Sequence, residues 1–225
     1  MERSTLVLFA GLLALIAGGV TLYLVATARP EALHVPTTLT SHPDRGMAIF
    51  TDGEHGFSLV YPEKYTTEYI FTSFYHLPAT WRANALPGAT GTPIISITGY
   101  RVEQAHAYPR YFDTEIRIGA SKDPKELARC EKTALEQAEQ RLPDVTFGSS
   151  TLKAFSFESA GMMQYVKGIS YRVLRDGSCI AIEQLQVGSR YHDDPASKDD
   201  IADTVLEAKY NELSSVISSL NFVRP

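Results

Sequence analysis

In "FSLVYP", Phe57, Leu59 and Tyr61 alternate with more polar or terminating positions, and the apolar run "MAIF" stands just ahead of it. A period of two is the signature of a half-buried strand. Between the two runs, "TDGEHG" supplies Asp52-Gly53 and Gly56, residues that tolerate the positive φ a tight connection needs. The pattern predicts a hairpin, with strands to follow at about 68–75, 94–102, 113–119 and 145–157. The sharpest signal is "MMQYVKGISYRVLRDGSCIAIEQLQVGS", where Asp176-Gly177 separates two long β-rich runs. A two-residue type I′ turn there sets Leu174 opposite Cys179, Val173 opposite Ile180 and Tyr171 opposite Ile182. One face then carries Ile169, Tyr171, Val173, Ile180 and Ile182, the other Leu174, Cys179 and Ala181. Both are largely apolar, so this hairpin belongs at the centre of a sheet covered on both sides.

Two helices are expected to provide the cover. In "SKDPKELARC", Asp123 is the N-cap, Pro124 the first helical residue and Glu126 the third. Leu127, Cys130, Ala134 and Ala138 fall on one face at helical spacing. Near the C-terminus, Ser197 and Asp200 have capping-box spacing, followed by a stripe of Ile201, Val205, Ala208, Val216, Ile217 and Leu220. The predicted fold class is α+β, an antiparallel sheet with helices packed on it.

The hairpin "FTDGEHGFSLVYPEKY" and the terminal "ELSSVISSLNF", with antiparallel strands between, resemble the PsbP-like fold. Tyr65 stands where that pattern commonly has Trp. The resemblance implies an α/β/α sandwich and an accessory or binding role. Such domains are extrinsic lumenal subunits of photosystem II, and the chain is also similar to uncharacterised membrane-anchored bacterial proteins. It implies no functional residue, because no position here matches a functional motif of the family.

Upstream, residues 6–28 contain no charged side chain. A bilayer core of about 30 Å needs roughly 20 apolar helical residues, so the stretch is expected to be an uncleaved N-terminal transmembrane helix. Its rival is a signal peptide cleaved after Ala28, since Ala26-Thr27-Ala28 has the small-residue form of a cleavage site. Residues 29–46 hold three prolines and read as a flexible Pro/Thr-rich tether, leaving 47–225 as a single domain. Arg3 and Arg29 do not fix the orientation. The two cysteines do more, because an oxidising compartment lets them pair; the domain is therefore expected on the extracytoplasmic side.

A net charge of −5 without a basic cluster argues against a nucleic-acid partner. Asp52, Glu54 and His55 fall within four residues, and no other short window looks more like chemistry. Their place in a hairpin loop makes a polar turn the better account than an acid/base pair. Asp193, Asp194, Asp199, Asp200 and Asp203 read as a solvated helix start rather than a cation site. Ser150 and Lys153 match S-x-x-K, but without its companion motifs and in a strand-like run. No HExxH, CxxC, EF-hand or phosphate-loop spacing occurs, so no metal or cofactor is expected. Cys130 on an apolar helix face and Cys179 on a helix-facing strand side are expected to form a disulfide, with two buried thiols as the alternative.

The remaining unusual segment is 76–93, "HLPATWRANALPGATGTP", long for a connection in a compact domain. It holds the only Trp, beside an Arg, a pair enriched at binding hot spots. Trp81 and Arg82 are either an interaction loop or a plug folded back on the domain. The leading functional expectation is a non-enzymatic, membrane-tethered domain that binds or supports another envelope component. The opposing one is an envelope hydrolase or other enzyme, which a deep pocket lined with titratable groups near Trp81 would favour.

Overall fold

The computed structural model describes residues 38–42, 46–74, 76–103, 111–134, 138–162, 164–189 and 201–222, all within the unit His34–Pro225. Its strands are β1 Thr38–His42, β2 Met47–Asp52, β3 Phe57–Pro62, β4 Thr66–Glu68, β5 Thr92–Glu103, β6 Tyr111–Ser121, β7 Gln140–Arg141, β8 Val145–Phe147, β9 Ser150–Gly161, β10 Gln164–Arg175, β11 Ser178–Ser189 and β12 Asn221–Phe222. Two helices are described, α1 Pro124–Arg129 and α2 Asp203–Ser218.

The strands make two antiparallel sheets. The larger runs β4-β5-β6-β11-β10-β9-β7, with β8 also on β9; the smaller runs β1-β2-β3-β12. The β10–β11 hairpin has the register its turn dictates, with Leu174 opposite Cys179, Val173 opposite Ile180 and Tyr171 opposite Ile182. Asp176 and Gly177 have φ of 48° and 73°, the left-handed pair of a type I′ turn. Flanked by β6 and β10, β11 is buried along its whole length.

Strand alternation divides the larger sheet into two unlike faces. On one, Ile116, Ile118, Ile180 and Ile182 pack with Leu213, Val216 and Ile217 of α2 and with Phe50, Phe57, Leu59 and Tyr61 of the smaller sheet. Several of these side chains bury roughly 1.5–3 kcal/mol of transfer free energy each. The other face carries Glu115 and Arg117 of β6, Arg172 of β10 and Glu183 of β11, all buried. Described residues of the 71–91 loop, α1 and residues 138–141 lie over it.

The expected α+β class and its α/β/α sandwich are therefore corrected: the described residues are mostly antiparallel strand, with two helices. A second sheet with one helix covers the apolar face, and a loop with one six-residue helix covers the charged face. The cap of α1 is as expected: Asp123 accepts from the Lys125 N–H at 2.9 Å, with Pro124 next in sequence. The helix nevertheless stops at Arg129. The Ala134 N–H donates to the Glu139 carboxylate at 2.9 Å instead of to a helical carbonyl, and Ala138 is left-handed with φ 56°. No described helix is long and apolar enough to cross a membrane; the apolar stretch 6–28 lies outside the described residues.

Other boundaries moved for local reasons. Residues 145–157 are not one strand, because Gly148 at φ 56° turns the chain into a β8–β9 hairpin. The strand expected over 68–75 ends at Glu68, after which only an isolated bridge joins Phe74 to Leu77. The smaller sheet begins at Thr38, inside the expected tether, since β1 pairs with β2 from Thr38↔Thr51 to His42↔Met47. In α2 the buried stripe is Leu206, Leu213, Val216 and Ile217, while Val205 and Ala208 are exposed. Both sets fit helical spacing, and the sheet takes the bulkier leucines. Ala202 is the N-cap, without a side-chain hydrogen bond; Ser197 and Asp200 lie outside the described residues.

Candidate functional site

Cys130 and Cys179 are joined, with Cα atoms 5.6 Å apart. The bridge ties the end of α1 to β11 beneath the long loop, and both residues are fully buried. Trp81 packs on it, together with Ala181. The indole sits close because glycines leave room. A Cβ on Gly91 would lie 2.2 Å from the Trp81 ring, and one on Gly119 would lie 2.0 Å from the Trp81 carbonyl oxygen.

Trp81 and Arg82 retain only 2% and 1% of their exposure, so neither side chain is offered to a partner at the surface. The plug reading describes their placement. Arg82 lies 5.2 Å from the Trp81 ring centre and donates to Glu126 Oε2 from Nε at 3.0 Å and Nη2 at 2.7 Å. The other Glu126 oxygen accepts from the Leu86 N–H at 2.6 Å.

Around this anchor lies a buried network of charges. Glu139 accepts from Arg172, from Asn84 Nδ2 at 2.9 Å and from the Ala134 N–H. Glu115 accepts from Arg117 and from Ser96 Oγ at 2.9 Å. Arg117 also donates to the Thr72 carbonyl at 2.6 Å and stacks 5.1 Å from the Phe71 ring. Glu183 accepts from the Ala83 N–H at 2.8 Å. Its other oxygen and the Trp81 indole N–H have no partner among the described residues.

The two central carboxylates titrate in opposite directions. Burial works against ionisation of Glu139, but the Arg172 hydrogen bond and charge, with Asn84 and the Ala134 N–H, outweigh it and hold its pKa below the usual range. Burial dominates at Glu183 and pushes its pKa up, against the Ala83 N–H and the nearby arginines. At the edge of the network, burial and the charge of Glu115 raise Asp113 to about 6, although Arg101 lies 2.6 Å away. Three buried arginines, Arg82, Arg117 and Arg172, thus share this face with four buried glutamates, Glu115, Glu126, Glu139 and Glu183.

The space near Trp81 is thus occupied by the loop itself, and its buried carboxylates are hydrogen bonded within the fold, Glu183 through one oxygen alone. The other expected residues are similarly engaged. Asp52 is buried and accepts from the Glu54 and His55 N–H groups at 2.9 and 3.1 Å, and lies 3.0 Å from His55 Nδ1. That is a polar turn, and its Glu54 also accepts from Lys122 Nζ at 3.0 Å. Lys153 pairs with Asp144 at 2.6 Å on the surface, as a strand residue. Asp193, Asp194, Asp199 and Asp200 lie outside the described residues. No group of three or more His, Cys, Asp or Glu able to hold a metal occurs among the described residues.

A different place leaves its polar groups unspent. Between α2 and the edge formed by β9 and β7 lies an open groove of about 470 Å³, lined by Gln140, Ser156, Glu158, Lys167, Glu207 and Asn211. None of these six side chains is hydrogen bonded within the described residues. Tyr210 forms part of the wall, with the Lys167 ammonium 5.9 Å from its ring centre. Nothing in the sequence pattern singled out this groove, because its residues come from four separated segments. No protein-family model matches the chain, and no curated protein matches it.

Proposed function

We propose that residues 38–222 form an extracytoplasmic binding domain, held at the membrane by the uncharged stretch 6–28, that engages another component of the envelope and is not an enzyme. The observation that carries this reading is the Cys130–Cys179 bridge. It joins the only two cysteines of the chain inside the fold, and structural disulfides belong to oxidising compartments. The sealed charge network adds support for a structural role: seven buried ionisable side chains fasten the 71–91 loop, α1 and the Glu139 segment to the sheet. That leaves recognition to the surface.

The test is a pair of measurements on the full chain in its native membrane. A reporter fused after Pro225 that works only outside the cytoplasm should be active, and crosslinking should capture an envelope component. Activity of a strictly cytoplasmic reporter, or thiols in the native protein that alkylate without prior reduction, would overturn the reading.

A further inference from the structure

We infer that the groove between α2 and β9 binds a short, neutral oligosaccharide. The inference rests on the reading of this domain as a binding module and names the chemistry of its ligand. The groove is of the size that small-molecule sites occupy, roughly 300–1,000 Å³. Its lining mixes polar and apolar surface in nearly equal parts, as an amphipathic ligand requires.

The donors and acceptors are mixed. Glu158 and Glu207 are acceptors only, Lys167 is a donor only, and the amides of Gln140 and Asn211 do both. Carboxylates and amides present two polar atoms in a plane, a spacing that suits neighbouring hydroxyl groups able to donate and accept at once. Glu158 stands directly across the β9–β10 pair from Lys167. No salt bridge joins Lys167 to a carboxylate among the described residues, so ammonium and carboxylate both remain available.

Aromatic carbon supplies the second half of a sugar site. Tyr210 lines the groove alongside these polar groups, and a ring face packs against the C–H face of a pyranose through the dispersion and apolar contact open to any aromatic surface. A phosphate-bearing ligand meets two carboxylates here, which repel it. A basic peptide meets Lys167 among those carboxylates. A neutral polyhydroxyl chain meets neither obstacle.

The rim also carries a backbone outlier. Ala138 lines the groove with φ 56°, a conformation that costs a non-glycine residue about 1 kcal/mol or more. Its neighbour Glu139 is anchored in the charge network by Arg172, Asn84 and Ala134. One segment thus ends the sealed face and begins the open groove.

The experiment titrates the full chain, held in a zwitterionic detergent free of sugar, with cellotetraose, chitotetraose and maltotetraose in turn. Nuclear magnetic resonance reads the tyrosine ring signals, and calorimetry reads the affinity. Saturable binding of at least one tetrasaccharide with a shift at Tyr210 is expected. The double variant Glu158→Ala/Glu207→Ala should weaken it by about tenfold or more, the loss expected when hydrogen bonds to charged groups are removed, with melting unchanged because both residues are exposed. Lys167→Met should weaken it too. No binding of any of the three, binding indifferent to these variants, or saturable binding of a Lys/Arg-rich peptide at the same residues instead would overturn the inference. Failure here with an extracytoplasmic reporter leaves the localisation standing; sugar binding with a cytoplasmic reporter leaves the groove standing and removes the envelope reading.

Discussion

The two faces of the large sheet are held by different physics. Beneath α2 and the smaller sheet, isoleucine, leucine and phenylalanine side chains pack without polar partners to satisfy. Beneath the 71–91 loop, arginines and glutamates are as deeply buried, and each must meet a specific partner. The first kind of contact is non-directional and accepts other apolar shapes. The second fixes geometry, because a charge left unpaired in the interior is far costlier than a small void. A loop without regular structure can therefore be seated as firmly as a helix, provided its backbone and side chains close the network.

The largest expected effect comes from breaking that network at its centre. Arg172→Met should destabilise the domain by about 3–5 kcal/mol, since it leaves Glu139 buried without its main counter-charge. Leu213→Ala on the opposite face should cost about 2–5 kcal/mol. Denaturant melts of the two variants compare the faces directly, and equal responses to Lys or Met at each site would dissolve the distinction. Replacing both cysteines with Ala should come next. The chain-entropy model assigns about 4 kcal/mol to a loop of this length, and measured values often fall lower. The variant should melt earlier, and protease should cut first within 71–91, not in α2.

Smaller effects follow from titration. Asp113 has a folded pKa of about 6 against an ordinary value of 3.8. The folded state therefore binds more protons than the unfolded state between those values. Its contribution to stability is fully present below about 3.8 and is lost as pH rises through about 6. Asp113→Asn should flatten this part of the stability profile in urea melts between about pH 4 and pH 7. Smallest of all should be Glu183→Gln, which mimics the protonated acid favoured by burial. It should cost clearly less than Glu139→Gln, whose parent carboxylate is held ionised by Arg172.

The sequence was legible where a local rule decides the structure. Asp176-Gly177 sets a register, alternation assigns Cys179 and Ala181 to one side, and Asp123-Pro124 starts a helix; each rule needs only neighbours in the chain. The bridge was legible for the same reason. The charged face was not, because Glu115, Arg117 and Glu183 in a strand look solvent-facing until a distant loop is known to cover them. Trp81 and Arg82 were identified as unusual, but their burial depends on Gly91 and Gly119, one in the loop and one in β6. The sugar-sized groove was hidden altogether: Gln140, Glu158, Lys167 and Glu207 share no spacing, only a location.

The smaller sheet has a consequence for the order of assembly. Its β2–β3 hairpin is synthesised early, yet β12 completes the sheet on the far side, with Asn221 opposite Ser58 and Phe222 opposite Phe57. During synthesis the hairpin's edge must wait, unpaired, until Phe222 has emerged. Contacts between such distant residues are slow to form, and an open strand edge is where nascent chains associate wrongly. A chain halted before Asn221 should therefore be captured by chaperones at 47–62, whereas one ending after Phe222 should escape.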